Sequence, residues 1–166
     1  MGRMQSVAAS VDSLGLDATE EAMLTVLRHF LTSFAKPESQ AWIMAFGLAG
    51  ERWGLSDGAR MAQGMLGVLQ AVMACRRMPI RFSDPMCPRC REKVTADEAA
   101  FLLMLHSMRR DKTQAARLAL ADLTDGQMDA AVMRAGLSLA GRFPVTEGLT
   151  RDDAPFGGAI NVVRLH

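Results

Sequence analysis

The residues with the most chemistry sit in one segment, "CRRMPIRFSDPMCPRC" at 75–90, which holds all three cysteines of the chain. Cys87 and Cys90 are two residues apart, and Pro88 between them favours a tight turn. Such a Cys-x-x-Cys turn lets two thiolates face one tetrahedral ion at about 2.3 Å, the arrangement of a zinc knuckle. Cys75, eleven intervening residues upstream, offers a third thiolate. His106, within the apolar run that follows, is the expected fourth ligand, with His29, Asp84 and His166 as rivals. The expected cofactor is therefore zinc, held by Cys75, Cys87, Cys90 and His106.

The same thiols support two further readings. Cationic neighbours favour a thiolate, so Cys87 and Cys90 are also candidates for a reversible disulfide in a redox sensor. Against this, the motif does not follow a strand in a βαβ unit, the setting of thioredoxin-like pairs. The plain reading is three unpaired thiols in a loop and a helix end. A c-type haem attachment is excluded, because Arg91 follows Cys90 where histidine is required.

Arg76, Arg77, Arg81, Arg89, Arg91 and Lys93 surround the cysteines and are opposed only by Asp84 and Glu92. Residues 73–117 carry ten bases against five acids, while the net charge of the whole chain is only +1. The molecule as a whole is thus no electrostatic nucleic-acid binder. A local basic island is still suited to an anionic partner, since guanidinium groups fork onto phosphates and carboxylates. The plain alternative is that these charges solvate one loop. Phe82 is the single aromatic there, which is thin support for base stacking.

Other chemistry has little support. His29, His106 and His166 lack serine or carboxylate partners in motif context, and no glycine pattern follows a strand as nucleotide fingerprints require. "KTQAARLALADLTDGQMDAAVMRAGLSLAGR" has a helix–turn–helix rhythm, but its second helix opens on Gln127, Met128 and Asp129, with Arg134 further along. That is poor chemistry for reading a major groove. Helix packing explains it better.

The elements that must position these residues read as helices. Met23, Val26, Leu27, Phe30, Leu31 and Phe34 fall at three- and four-residue steps behind Asp17 and Glu20, which signal a helix start. Pro37 stops this run and opens the next, "ESQAWIMAFGLAGERW". Ser56 is the expected cap of a helix over 58–76. "TADE" at 95–98 and "TDGQ" at 124–127 read as capping boxes. Gly47, Gly50, Gly54, Gly58, Gly64 and Gly67 stud the second and third helices, and close backbone packing is the expected reason.

Length and pattern predict one all-α domain over 1–166, about six helices in a compact bundle with a Cys-rich inter-helix loop. Residues 1–16 and the extended tail 144–166, with its strand-like "INVVRL", are expected to be less regular. The most apolar run, 58–75, contains Arg60, Gln63 and Gln70 and is too polar to span a bilayer. The start lacks the apolar core of a secretory signal, and three cysteines cannot all pair internally, so a cytoplasmic, bacterial protein is expected. The expected function is a non-enzymatic regulatory or adaptor protein. A zinc site would display its arginine-rich surface to a nucleic acid or protein. The alternatives are a metal-free helical interaction module, with a second copy of the chain among its partners, and a Cys-x-x-Cys redox sensor.

Overall fold

A computed structural model describes residues 9–146. The expected tail beyond 146, including "INVVRL" and His166, and residues 1–8 lie outside them. The described residues form an all-α bundle of six helices: α1 (Ala18–Ala35), α2 (Ala41–Trp53), α3 (Leu55–Cys75), α4 (Ala96–Arg109), α5 (Thr113–Leu123) and α6 (Ala130–Arg142). One two-residue ribbon is added, with β1 (Ala9–Ser10) antiparallel to β2 (Lys93–Val94), in the register Ala9 to Val94 and Ser10 to Lys93. No described helix is long and apolar enough to cross a membrane.

Local signals explain most boundaries. Asp17 accepts the Glu20 N–H at 2.9 Å and Glu20 accepts the Asp17 N–H at 2.9 Å, a full capping box at the start of α1. Thr95 and Glu98 do the same for α4. Three expectations need correction. Pro37 opens a short 3-10 turn, Pro37–Ser39, and α2 begins only after Gln40, whose φ of 49° reverses the chain. Helix α3 starts at Leu55, so Ser56 lies inside its first turn and Gly54, at φ 83°, is the reversal that separates it from α2. The sequence "TDGQ" is not a box: Thr124 bonds backward to the Leu120 carbonyl at 2.7 Å, and Asp129 caps α6. A hydroxyl before a polar triplet fits a helix end, where it donates backward to a carbonyl, as well as a helix start, where it accepts an N–H.

The core gathers Phe30 of α1, Met61, Met65 and Leu69 of α3, Phe101 and Leu105 of α4, and Leu120 and Leu123 of α5, all fully buried. Each such side chain contributes about 1.5–3 kcal/mol. Helices α2 and α3 touch through small residues. Ala41, Ala45 and Ala49 form the buried stripe of α2. A Cβ at Gly58 would collide with the Ala49 carbonyl and lie 2.6 Å from the Gly50 nitrogen. The packing explanation thus holds for Gly58, and for Gly64, where a Cβ would lie 2.7 Å from Leu139. It fails for Gly47 and Gly67, which face open space.

Antiparallel helices α1 and α4 are locked at both ends by arginines on the capping glutamates. Arg28, midway along α1, donates from Nε to Glu98 Oε1 at 2.7 Å and from Nη2 to Oε2 at 3.2 Å; both side chains are buried. At the other end Arg109 of α4 and Arg110, the residue that caps it, both donate to Glu20 Oε1, and each also reaches Asp17, at 2.8 and 2.9 Å. Burial alone would raise the Glu20 carboxyl. The Arg110 hydrogen bond, the Asp17 N–H and His106 overrule it and hold the group below its ordinary range.

Candidate functional site: a clamped basic cysteine loop

Residues 76–95 run from the end of α3 to the cap of α4, and two acids in the first turn of α4 hold this loop at both ends. Asp97 accepts from the Arg76 guanidinium at 3.2 Å and from the Arg81 N–H at 2.7 Å. Glu98 accepts from the Ser83 N–H at 3.0 Å. Arg28 reaches over to donate to the Arg91 carbonyl at 3.3 Å and to that of Lys93. The β1–β2 ribbon and a Val11 N–H to Glu92 carbonyl bond of 3.0 Å fasten the exit. The loop is irregular, yet its backbone is tied to three elements.

Inside this frame the chain advances in three-residue turns. The Cys87 N–H donates to the Asp84 carbonyl at 3.2 Å, Cys90 to Cys87 at 3.1 Å, and Lys93 to Cys90 at 3.3 Å. Three-residue turns eclipse every third side chain, which brings Cys87 and Cys90 onto one side. The neighbouring Cys90 thiol lowers the Cys87 thiol below its ordinary value, and Cys87 in turn raises Cys90.

The four expected metal ligands are not brought together. Cys75 closes α3, where its thiol donates to the Val72 carbonyl at 3.2 Å. Burial, and then the charge of Asp129 at the start of α6, raise that thiol. His106 corrects the expectation further. Its Nδ1 lies 2.9 Å from Glu20 Oε2, inside the cluster with Asp17, Arg109 and Arg110. A carboxylate only accepts, so Nδ1 carries the hydrogen and the ring serves the α1–α4 lock. Its rival His29 is buried, which lowers its pKa and favours the neutral ring, while Asp84 acts in the opposite direction. Asp84 also acts on both loop thiols. Among the described residues no group of three or more His, Cys, Asp or Glu side chains is placed to hold a metal ion.

The basic residues divide in two. Arg76 is largely buried and structural, bonded to Asp97, the Met78 carbonyl and the Leu123 carbonyl. Arg77, Arg81, Arg89, Arg91 and Lys93 are exposed, and none forms an ion pair among the described residues. No family model, curated protein or solved structure matches this chain. The loop has to be read from its own chemistry.

That chemistry is five exposed cations on a clamped backbone that also carries a thiol pair. A separate apolar cleft of about 290 Å³ lies between α4, α5 and α6, lined by Met108, Ala116, Leu120, Met133 and Leu137, with Lys112 and Arg117 at its edge. It differs in character from the loop: its floor is apolar, and Ser107, Thr113 and one acid, Asp111, also line it. Sequence reading missed Arg28, Glu98 and Asp97 as the clamps of the site. The capping box at 95–98 was visible, but nothing in its spacing announced that its acids would hold the loop as well.

Proposed function

We propose that this chain is a non-enzymatic regulatory or adaptor protein that presents the 76–95 loop to an anionic partner, a nucleic acid or an acidic protein face. One observation carries the reading: five exposed cations without acid partners on a backbone clamped by Arg28, Asp97 and Glu98. Pre-ordering matters because a loop already held in place loses little freedom on binding. Zinc belongs to this proposal as an ion held by Cys87 and Cys90, its shell completed by solvent or by the partner, since no third His, Cys, Asp or Glu side chain among the described residues is placed with them.

The test is binding of a fluorescent single-stranded RNA across a salt series. Replacing Arg77, Arg81, Arg89 and Arg91 together by serine is expected to flatten the slope of log affinity against log salt by up to about 3, from four lost phosphate contacts. Replacing Gln127 and Arg134 is expected to change little. A salt-insensitive affinity, or full affinity in the fourfold variant, would overturn the reading of this loop as a phosphate contact. Binding only to acidic protein would assign the cations to carboxylates.

The two-residue spacing of Cys87 and Cys90 on consecutive three-residue turns favours a second reading, a reversible disulfide. Elemental analysis and thiol alkylation of the purified chain separate the two. Zinc binding is expected to give about one metal per chain, lost on Cys87→Ser. A redox pair gives metal-free protein in which peroxide closes one intrachain disulfide and a dithiol reductant reopens it.

A further inference from the structure

The cleft between α4, α5 and α6 has two unlike ends. Thr113, Ala116, Arg117 and Leu120 recur at three- and four-residue steps, so one face of α5 forms its length, about 10 Å at 1.5 Å per residue. Toward Leu120 the lining is apolar, with Met108, Ala116 and Met133 as floor and Leu137, 56% exposed, as a lip. Gly136 of α6 makes room for that floor, because a Cβ there would lie 2.7 Å from the Met108 sulfur. At the α4–α5 corner the lining turns polar, with Ser107, Asp111, Lys112 and Thr113. Ser107 is only 4% exposed. Its carbonyl is taken by the Arg110 and Lys112 N–H groups at 3.2 and 2.9 Å, while its hydroxyl bonds to none of the described residues. No fully enclosed side-chain oxygen among them lacks a partner, so this hydroxyl opens into the cleft.

We infer that this cleft binds a small amphiphile with an anionic head and an unbranched apolar chain, a medium-chain carboxylate. The polar corner suits the head. Lys112 and Arg117 are exposed and form no ion pair among the described residues, and Asp111 is the one acid beside them, so the rim stays net positive. The first turn of α5 has no side-chain cap, and the Gln114 and Ala115 N–H groups find no acceptor among the described residues. Such free donors at a helix start favour an anion. The buried Ser107 hydroxyl adds a donor from the wall. The floor suits the chain. Met108 and Met133 carry flexible thioethers that mould to an alkyl chain, and no aromatic ring lines the cleft for a flat base to stack on. Its volume of about 290 Å³ lies at the bottom of the range for ligand cavities, about 300–1,000 Å³, which favours such a chain over a nucleotide. The site shares no residue with the 76–95 loop and stands independently of the function proposed for it.

The test is a titration of the full chain, carbon-13 labelled at its methionine methyls, with sodium octanoate below its micellar concentration. The Met108 and Met133 methyl signals are expected to shift and saturate together. From hexanoate to octanoate, affinity is expected to rise about two- to fourfold per added methylene, as burial of the chain requires. Octanol has the same chain without the charge and should bind about tenfold more weakly. Lys112→Glu with Arg117→Glu should erase that preference and leave octanol binding as it was. Ser107→Ala should weaken octanoate about two- to tenfold with an unchanged unfolding midpoint, because that hydroxyl holds nothing else in place. Ala116→Leu fills the floor and should weaken octanoate by about tenfold or more. No methyl shift up to the micellar limit would overturn the proposal. So would tighter binding of octylammonium than of octanoate, which would make Asp111 the governing charge. Shifts centred on the exposed Met44 of α2 instead of Met108 and Met133 would do the same, as would full octanoate affinity in a folded Ala116→Leu variant.

Discussion

Replacing Glu98 by alanine is expected to destabilise the protein by about 3–5 kcal/mol, the cost of leaving one partner of a buried ion pair alone. Its carboxylate is fully buried, and Arg28 opposite has a side chain only 4% exposed. Removing it strands the guanidinium, the Thr95 N–H and the Ser83 N–H in one step. A domain of this size has about 5–15 kcal/mol of stability in total, so the loss is a large share. Urea unfolding of the single and double variants measures it. Glu98→Gln keeps an acceptor for the cap but removes the charge, and adding Arg28→Met removes the stranded cation. The double variant is therefore expected to be more stable than the sum of the singles predicts, by at least about 1 kcal/mol. Strict additivity would mean that the pair carries no coupling. Hydrogen exchange in 76–95 should rise in Glu98→Ala before global unfolding, because the same carboxylate anchors the loop.

The second large effect is expected at Glu20, and it carries a pH signature. Glu20→Ala removes the acceptor of Arg109, Arg110 and His106 together, and about 3–5 kcal/mol is again the expected loss. Asp17 and Glu20 both sit below their ordinary values of 3.8 and 4.5, held there against burial by hydrogen bonds and arginine charge. A carboxylate with a lowered folded pKa adds stability that is fully present above its unfolded pKa and lost as pH falls through the folded one. Stability should thus be level above about pH 5 and fall below about pH 4. In Glu20→Ala the fall should be shallower, with fewer protons taken up on unfolding. An equal slope in both proteins would show that other acids govern acid unfolding.

These two clusters also explain what became of the expected ligand set. His106 looked available because its sequence neighbours Leu102, Leu103 and Met108 offer no polar partner. Its partner, Glu20, is 86 residues away. Arg76 counted as one of six surface bases on the same grounds, and Asp97, 21 residues on, removed it from the surface. In both cases the local reading had the chemistry right and the neighbour missing. The backbone turns at Cys87 and Cys90 differ from these, because a two-residue spacing closed by short turns is a local matter that proline and turn geometry decide.

The sequence by itself determined the all-α class, most helix spans, the two true capping boxes and the position of the cysteine loop between α3 and α4. Each of these follows from residues within about four positions of one another, where helical periodicity and capping act. Tertiary structure alone decided which face of α2 is buried, that Glu20 and Glu98 serve as ion-pair partners as well as caps, and that Cys75 and His106 lie apart from the Cys87–Cys90 pair. The reason is range. The pairing of Arg28 with Glu98 spans seventy residues and depends on α1 and α4 packing antiparallel. The small-residue stripe that α2 buries depends on how closely α3 approaches it. Spacing along the chain carries neither quantity, since both are set by the balance of buried volume and paired charge over the whole bundle.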